Sequence, residues 1–137
     1  MNIHILEVLY MSLNFKTLDN GKIVFMNDEI NANDLKWNEA AFEGVYLKHL
    51  VQGSSTNNTL SCHLVRIKAG CQIGDHIHEG KLELHEVLEG QGKALLDGKE
   101  IKYEPGVSVV IPADINHSVT AGNEDLYLLA KFAPALL

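Results

Sequence analysis

The chain has 137 residues, 46% of them apolar and 21% charged. That describes one globular domain able to bury its own core and excludes intrinsic disorder, which needs low hydrophobicity with high net charge. Eleven Lys and Arg against eighteen Asp and Glu give a net charge of −7, with Arg66 the sole arginine; this balance repels phosphate backbones and anionic lipid, so no nucleic-acid or membrane partner is expected.

Residues 1–10 are apolar but carry Glu7, lack a basic start and are followed by no small-residue cleavage site, so no secretory signal is expected. Met11 offers an alternative start, and His4 falls in the terminal segment. No apolar run approaches the roughly 20 residues that span a bilayer. Two cysteines, Cys62 and Cys71, are too few for a disulfide framework and lack zinc spacing, so reduced thiols and a cytoplasmic address are expected.

Further along, residues 22–27 read as a strand after Gly21, and residues 34–42 as a helical turn capped by Asn33 or Asp34. Trp37 reads as packing for this N-terminal arm. Residues 44–52 alternate Val45, Leu47, His49 and Val51 against Tyr46, Lys48 and Leu50. A polar loop at 53–58 leads to a strand at 60–68, and Ala69-Gly70 turns the chain. Strands follow at 82–88, 93–96, 99–103, 107–111, 115–120 and 126–132. The Asp97-Gly98 pair between two of them is a hairpin signal, because a type I′ turn needs positive φ at both positions. Eight or more short strands separated by turns describe an all-β antiparallel sandwich or small barrel.

Five of the seven histidines fall between residues 63 and 117. His76 and His78 form a His-x-His pair, and in a strand such residues share a face. Glu83 begins the next apolar strand, and His117 stands in another. Three imidazoles and one carboxylate make a transition-metal ligand set. Strand parity places His85 and Val87 on the face of Glu83, and Leu84 and Glu86 on the opposite face. An inward carboxylate without a partner would cost several kcal/mol, so an inward Glu83 needs a metal, whereas Glu86 needs only water.

The run Gly70-x5-His76-x-His78-x4-Glu83-x6-Gly90 resembles the first cupin motif at every fixed position. Gly106-x5-Pro112-x-Asp114-x2-His117-x3-Ala121 resembles the second, with Asp114 where that motif has Gly and Ala121 where it has Asn. Fifteen residues separate Gly90 from Gly106, as in compact microbial cupins. The resemblance implies a small double-stranded β-barrel, or jelly roll, over residues 44–137, with residues 1–43 as an arm packed on it. It also implies His76, His78, Glu83 and His117 as ligands of one divalent transition metal ion (Fe, Mn, Ni, Co or Zn), and a homodimer.

Beside the ligands, His85 reads either as a substrate-contacting base or as a neutral imidazole bonded to Glu83. His63 reads as a fifth ligand, a substrate-binding pocket residue or a surface site. Lys81 reads as a loop lysine, and Glu79 as solvated. Such a site suits a small metalloenzyme of the dioxygenase, isomerase or lyase class acting on an oxygenated small molecule. The alternative is a non-catalytic metal-dependent binding or sensing module, since no further catalytic motif is present.

Overall fold

A computed structural model describes residues 14–137; the expectations for residues 1–10, Met11 and His4 lie outside the described residues. Twelve strands and one short helix follow in order among the described residues: α1 (Phe15–Asp19), β1 (Lys22–Val24), β2 (Glu29–Asn31), β3 (Asn38–Glu39), β4 (Val45–Val51), β5 (Ser61–Ile67), β6 (Gln72–His76), β7 (Leu82–Glu89), β8 (Gly92–Leu96), β9 (Lys99–Tyr103), β10 (Ser108–Ile111), β11 (His117–Ala121) and β12 (Leu126–Ala133). A six-stranded sheet in the order β10-β7-β12-β5-β4-β3 faces a four-stranded sheet in the order β6-β11-β8-β9. The strand pairings are antiparallel, and the architecture is the expected all-β jelly-roll barrel. Among the described residues no helix is long and apolar enough to cross a membrane.

The barrel core is built from residues that alternate inward. Val45, Val65, Ile67, Val87, Tyr103, Val119, Leu126 and Leu128 are all buried in one cluster. β7 follows the parity expected of it: Glu83, His85 and Val87 are buried, while Leu84, Glu86 and Leu88 are only partly so. The β8–β9 hairpin turns at Asp97 and Gly98, which carry φ of +48° and +82°, the left-handed pair that a two-residue turn requires.

A second cluster lies on the outer face of the large sheet, where Ala32, Leu50 and Leu64 are buried with Leu18, Ile23, Leu35 and Trp37 packed against them. The segment before β4 is pinned there by Lys48, whose side chain is 3% exposed. Its ammonium pairs with the Asp19 carboxylate, donates to Ala32 O at 2.9 Å and lies 5.5 Å from the centre of the Trp37 ring. Phe15 stacks on Tyr127 with centroids 3.9 Å apart.

Three local expectations are corrected. The helical turn at 34–42 is absent; a 3-10 turn spans Ala32–Asp34, Leu35 is extended, and Asn38 pairs with Leu47 instead. Ladder bonds to β4 outcompete a short, weakly nucleated helix. The strand at 22–27 ends at Val24, because Phe25 N–H donates to Asp28 O at 2.7 Å and the chain turns back into β2. The strict alternation in 44–52 breaks at a bulge between His49 and Val51.

Candidate metal centre

Two strands of the small sheet supply His76 and His117. His76 ends β6 and pairs in register with His117 on β11, their ring centres 4.0 Å apart. His76 Nδ1 lies 2.7 Å from Gly74 O, and His117 Nδ1 lies 2.9 Å from Ile115 O. A carbonyl only accepts, so each Nδ1–H donates, and each Nε2 is the nitrogen left to act as a ligand. His78 lies two residues beyond the end of β6, so its approach comes from the loop rather than from strand pleat. Its ring sits 4.8 Å from that of His76 and meets Phe132 edge-on at 4.8 Å. The loop is fixed by Asp114, whose N–H donates to His78 O at 3.2 Å and whose carboxylate accepts from Gly80 N–H at 2.9 Å. Asp114 carries φ of +67°, so the residue that departs from the motif glycine keeps a glycine-like backbone and adds a bond of its own.

Glu83 enters from the large sheet, buried at 4% exposure. Its Oε1 stands 3.1 Å from His117 Nε2 and 3.7 Å from His78 Nε2, while Oε2 lies 2.7 Å from His85 Nε2. His76, His78, Glu83 and His117 thus offer donor atoms that all lie within 4.8 Å of one another. Donors around one first-row ion stand about 3 Å apart when adjacent and about 4 Å when opposite, so the group is slightly wider than a single coordination sphere and would draw in around an ion. The donor chemistry fits as well, since a buried carboxylate among imidazoles calls for a cation.

Burial works against the Glu83 carboxylate. The neighbouring His85, hydrogen bonds from His117 and His85, and His78 nearby outweigh it and hold the group well below the usual carboxylate range. Burial also lowers His78, to about 4, against the opposing pull of Glu83. His76 is lowered for the same reason. His117 is raised, because its bonds to Glu83 and Ile115 O overcome burial. The site therefore favours one ionised carboxylate with neutral imidazoles at His76 and His78, while His117, bonded through both ring nitrogens to acceptors, keeps a proton on Nε2 that an incoming ion would displace.

His85 is 2% exposed and fully engaged, with Nε2 on Glu83 and Nδ1 2.8 Å from the Tyr103 hydroxyl. A carboxylate only accepts, so Nε2–H donates to Glu83 and Nδ1 accepts from Tyr103 O–H. His63 is fully buried but stands outside the ligand group. Its Nε2 lies 2.8 Å from Ser61 Oγ and its Nδ1 2.8 Å from His49 Nδ1, and its ring meets Phe132 edge-on at 5.7 Å. Burial and the neighbouring His49 lower it to about 4. Glu79 is exposed, and Glu86 faces outward to Lys131 Nζ at 2.6 Å. Neither Tyr103 as the partner of His85 nor Phe132 as the wall beside His78 is foreshadowed by any local pattern. Both contacts join residues far apart in the chain.

A cavity of about 170 Å³ opens on the site, with His76, His78, Glu83 and His85 in its wall. The rest of the lining is apolar, led by Phe42, Leu47, Val65, Ile73, Phe132 and Leu136. Phe42 reaches over β6 because Gly74 has no side chain: a Cβ there would stand 2.9 Å from Phe42 Cε1.

Comparison with known proteins agrees with this architecture. The family model described as "Cupin domain" matches residues 63–131. An oxalate-binding protein of Thermotoga maritima is 28% identical over 88 residues, covering 63% of this chain and 73% of that protein. A quercetin 2,3-dioxygenase of Bacillus subtilis is 34% identical over 67 residues, covering 49% of this chain but only 20% of the enzyme. The crystal structure of a predicted oxalate decarboxylase from Thermotoga maritima superposes with a TM-score of 0.69 at 24% identity, covering 74% of this chain and 95% of that one. With the family model spanning half its length and a jelly-roll barrel around a cluster of three histidines and a glutamate, the chain belongs to the cupin family.

Proposed function

We propose that His76, His78, Glu83 and His117 hold one divalent transition metal ion (Fe, Mn, Ni, Co or Zn), and that the protein is a small metalloenzyme of the dioxygenase, isomerase or lyase class acting on an oxygenated small molecule. The observation that carries this reading is the set of four donor atoms within 4.8 Å of one another beside a cavity. A bound ion would supply Lewis acidity toward an oxygen ligand. The chain's own residues do the rest. Gly74 O and Ile115 O fix the tautomers of His76 and His117. His85 holds Oε2 of Glu83, which leaves Oε1 toward the imidazoles. His85 also lines the cavity, where it would face a bound molecule, while the apolar wall excludes water.

A second reading, a binding or sensing module without turnover, is favoured by one observation: both ring nitrogens of His85 are already engaged, so the nearest candidate base has no lone pair to offer. Metal analysis of protein purified without chelator, followed by oxygen-uptake and product assays on diketones and hydroxy acids, tests both. Bound metal with turnover supports the enzyme. Bound metal with ligand affinity and no turnover supports the module, and no bound metal contradicts both.

The same proposal includes a cytoplasmic homodimer, supported by Cys62 and Cys71, which form no disulfide among the described residues, and by β10 and β3, the strands that end the six-stranded sheet. A monomer by light scattering at micromolar concentration would contradict the dimer. The charge of −7 argues against nucleic acid and membrane as partners.

A further inference from the structure

From the chemistry of the cavity wall we infer that the site takes a compact, singly ionised oxygen chelate with an apolar body, about one six-membered ring in size, and discriminates against small dianions such as oxalate. The inference rests on the metal reading above.

Charge balance is the first argument. A divalent ion with the Glu83 carboxylate leaves the site near +1. A hydroxy-ketone or β-diketone that loses one proton on binding brings it to zero. A dianion brings it to −1 inside an apolar wall, and a buried net charge without a partner is costly. No lysine or arginine is among the cavity-lining residues. Arg66 is tied to Asp125, Nη2 to Oδ2 at 2.9 Å and Nε to Oδ2 at 3.1 Å. Lys48 is buried under the N-terminal segment against Asp19. Lys81 is half-buried in the loop before β7 and does not line the cavity. The wall therefore has no cation to neutralise a second carboxylate.

Size is the second argument. The cavity of about 170 Å³ is close to the roughly 150 Å³ that admits benzene. Phe42, in the loop before β4, and Leu136, in the segment after β12, stand in its wall. A three-ring flavonol exceeds this volume and would extend beyond the wall. The apolar wall suits a ring or short branched chain, and the chelating oxygens would be the polar end.

The test uses protein loaded with Co(II), whose visible spectrum reports changes at the metal, together with calorimetry. Maltol, a one-ring hydroxy-ketone, is titrated in parallel with oxalate at pH 7.5. Maltol is expected to bind at least about tenfold tighter, equivalent to roughly 1.4 kcal/mol. Equal or tighter oxalate binding overturns the inference and leaves the metal reading intact. Failure to take up Co(II) overturns both. In Leu136→Lys, which places an ammonium at a partly exposed wall position, oxalate is expected to gain on maltol. An unchanged ratio in a variant that melts like the parent overturns the charge argument.

Discussion

The Tyr103 hydroxyl donates to His85 Nδ1 across 2.8 Å, and the bond joins the two sheets through the core, since Tyr103 ends β9 and His85 lies mid-way along β7. Tyr103 is fully buried, and burial pushes its phenol well above the ordinary range, so it stays protonated and remains a donor. Tyr103→Phe removes the donor and leaves Nδ1 buried without a partner. Thermal or denaturant melts should show a loss of about 1–3 kcal/mol. Metal content should stay close to that of the parent, because no ligand is removed.

The chelator-treated protein should lose stability as pH falls from about 6.5 to 4. His63 and His78 are depressed to about 4, and His49 and His76 are also lowered, all chiefly by burial. Each is neutral when folded but takes up a proton when unfolded below about pH 6.5, so the unfolded state binds more protons across that window. His63 alone contributes on the order of 3 kcal/mol by pH 4. His117, raised, acts in the opposite sense, its stabilisation fading as pH rises. Denaturant melts between pH 4 and 8 check this, and a flat profile would contradict the buried, neutral state of these rings.

Lys48 predicts how firmly the N-terminal segment is held. Lys48→Ala leaves the Ala32 carbonyl and the Asp19 carboxylate without their ammonium. Because Asp19 is partly exposed, the loss should be about 2–3 kcal/mol, at or below the lower end for a broken buried pair. Lys48→Met should lose less, since it keeps the packing on Trp37. Melts of both variants decide the point, with metal content expected to be unchanged.

Much of this was legible in the sequence, for identifiable reasons. Three of the four candidate ligands, His76, His78 and Glu83, lie within one short span at fixed spacing, and the period of two in β7 sorts Glu83 and His85 from Glu86 without any tertiary information. The Asp97-Gly98 turn is local backbone chemistry. What escaped depends on contacts between distant segments. Lys48 alternates like a surface residue, yet its ammonium is buried by a segment that folds back from residues 19–37. The His49–His63 bond forms only because β4 and β5 pair in that register. The expected helix at 34–42 lost to ladder bonds whose partner strand begins at Val45.

Metal should stabilise the folded chain, because a ligand of the native state alone adds RT ln(1 + [L]/Kd), about 2.7 kcal/mol at a hundredfold excess over Kd. The melting temperature at pH 7.5 should fall on addition of a strong chelator and recover when metal is restored. Affinity should weaken from about pH 7 to 5 as protons compete for the imidazoles.

The most direct test of the metal centre is metal stoichiometry in paired glutamate variants, measured on protein shown to be folded. Glu83 is buried with Oε1 toward His117 and His78, whereas Glu86 is half-exposed beside Lys131. Glu83→Gln should lose most of its metal, as should His76→Ala, His78→Ala and His117→Ala. Glu86→Gln should retain the parent's content and shift stability by less than about 0.5 kcal/mol. A Glu83→Gln protein that keeps full metal while Glu86→Gln loses it would contradict the assignment of the site.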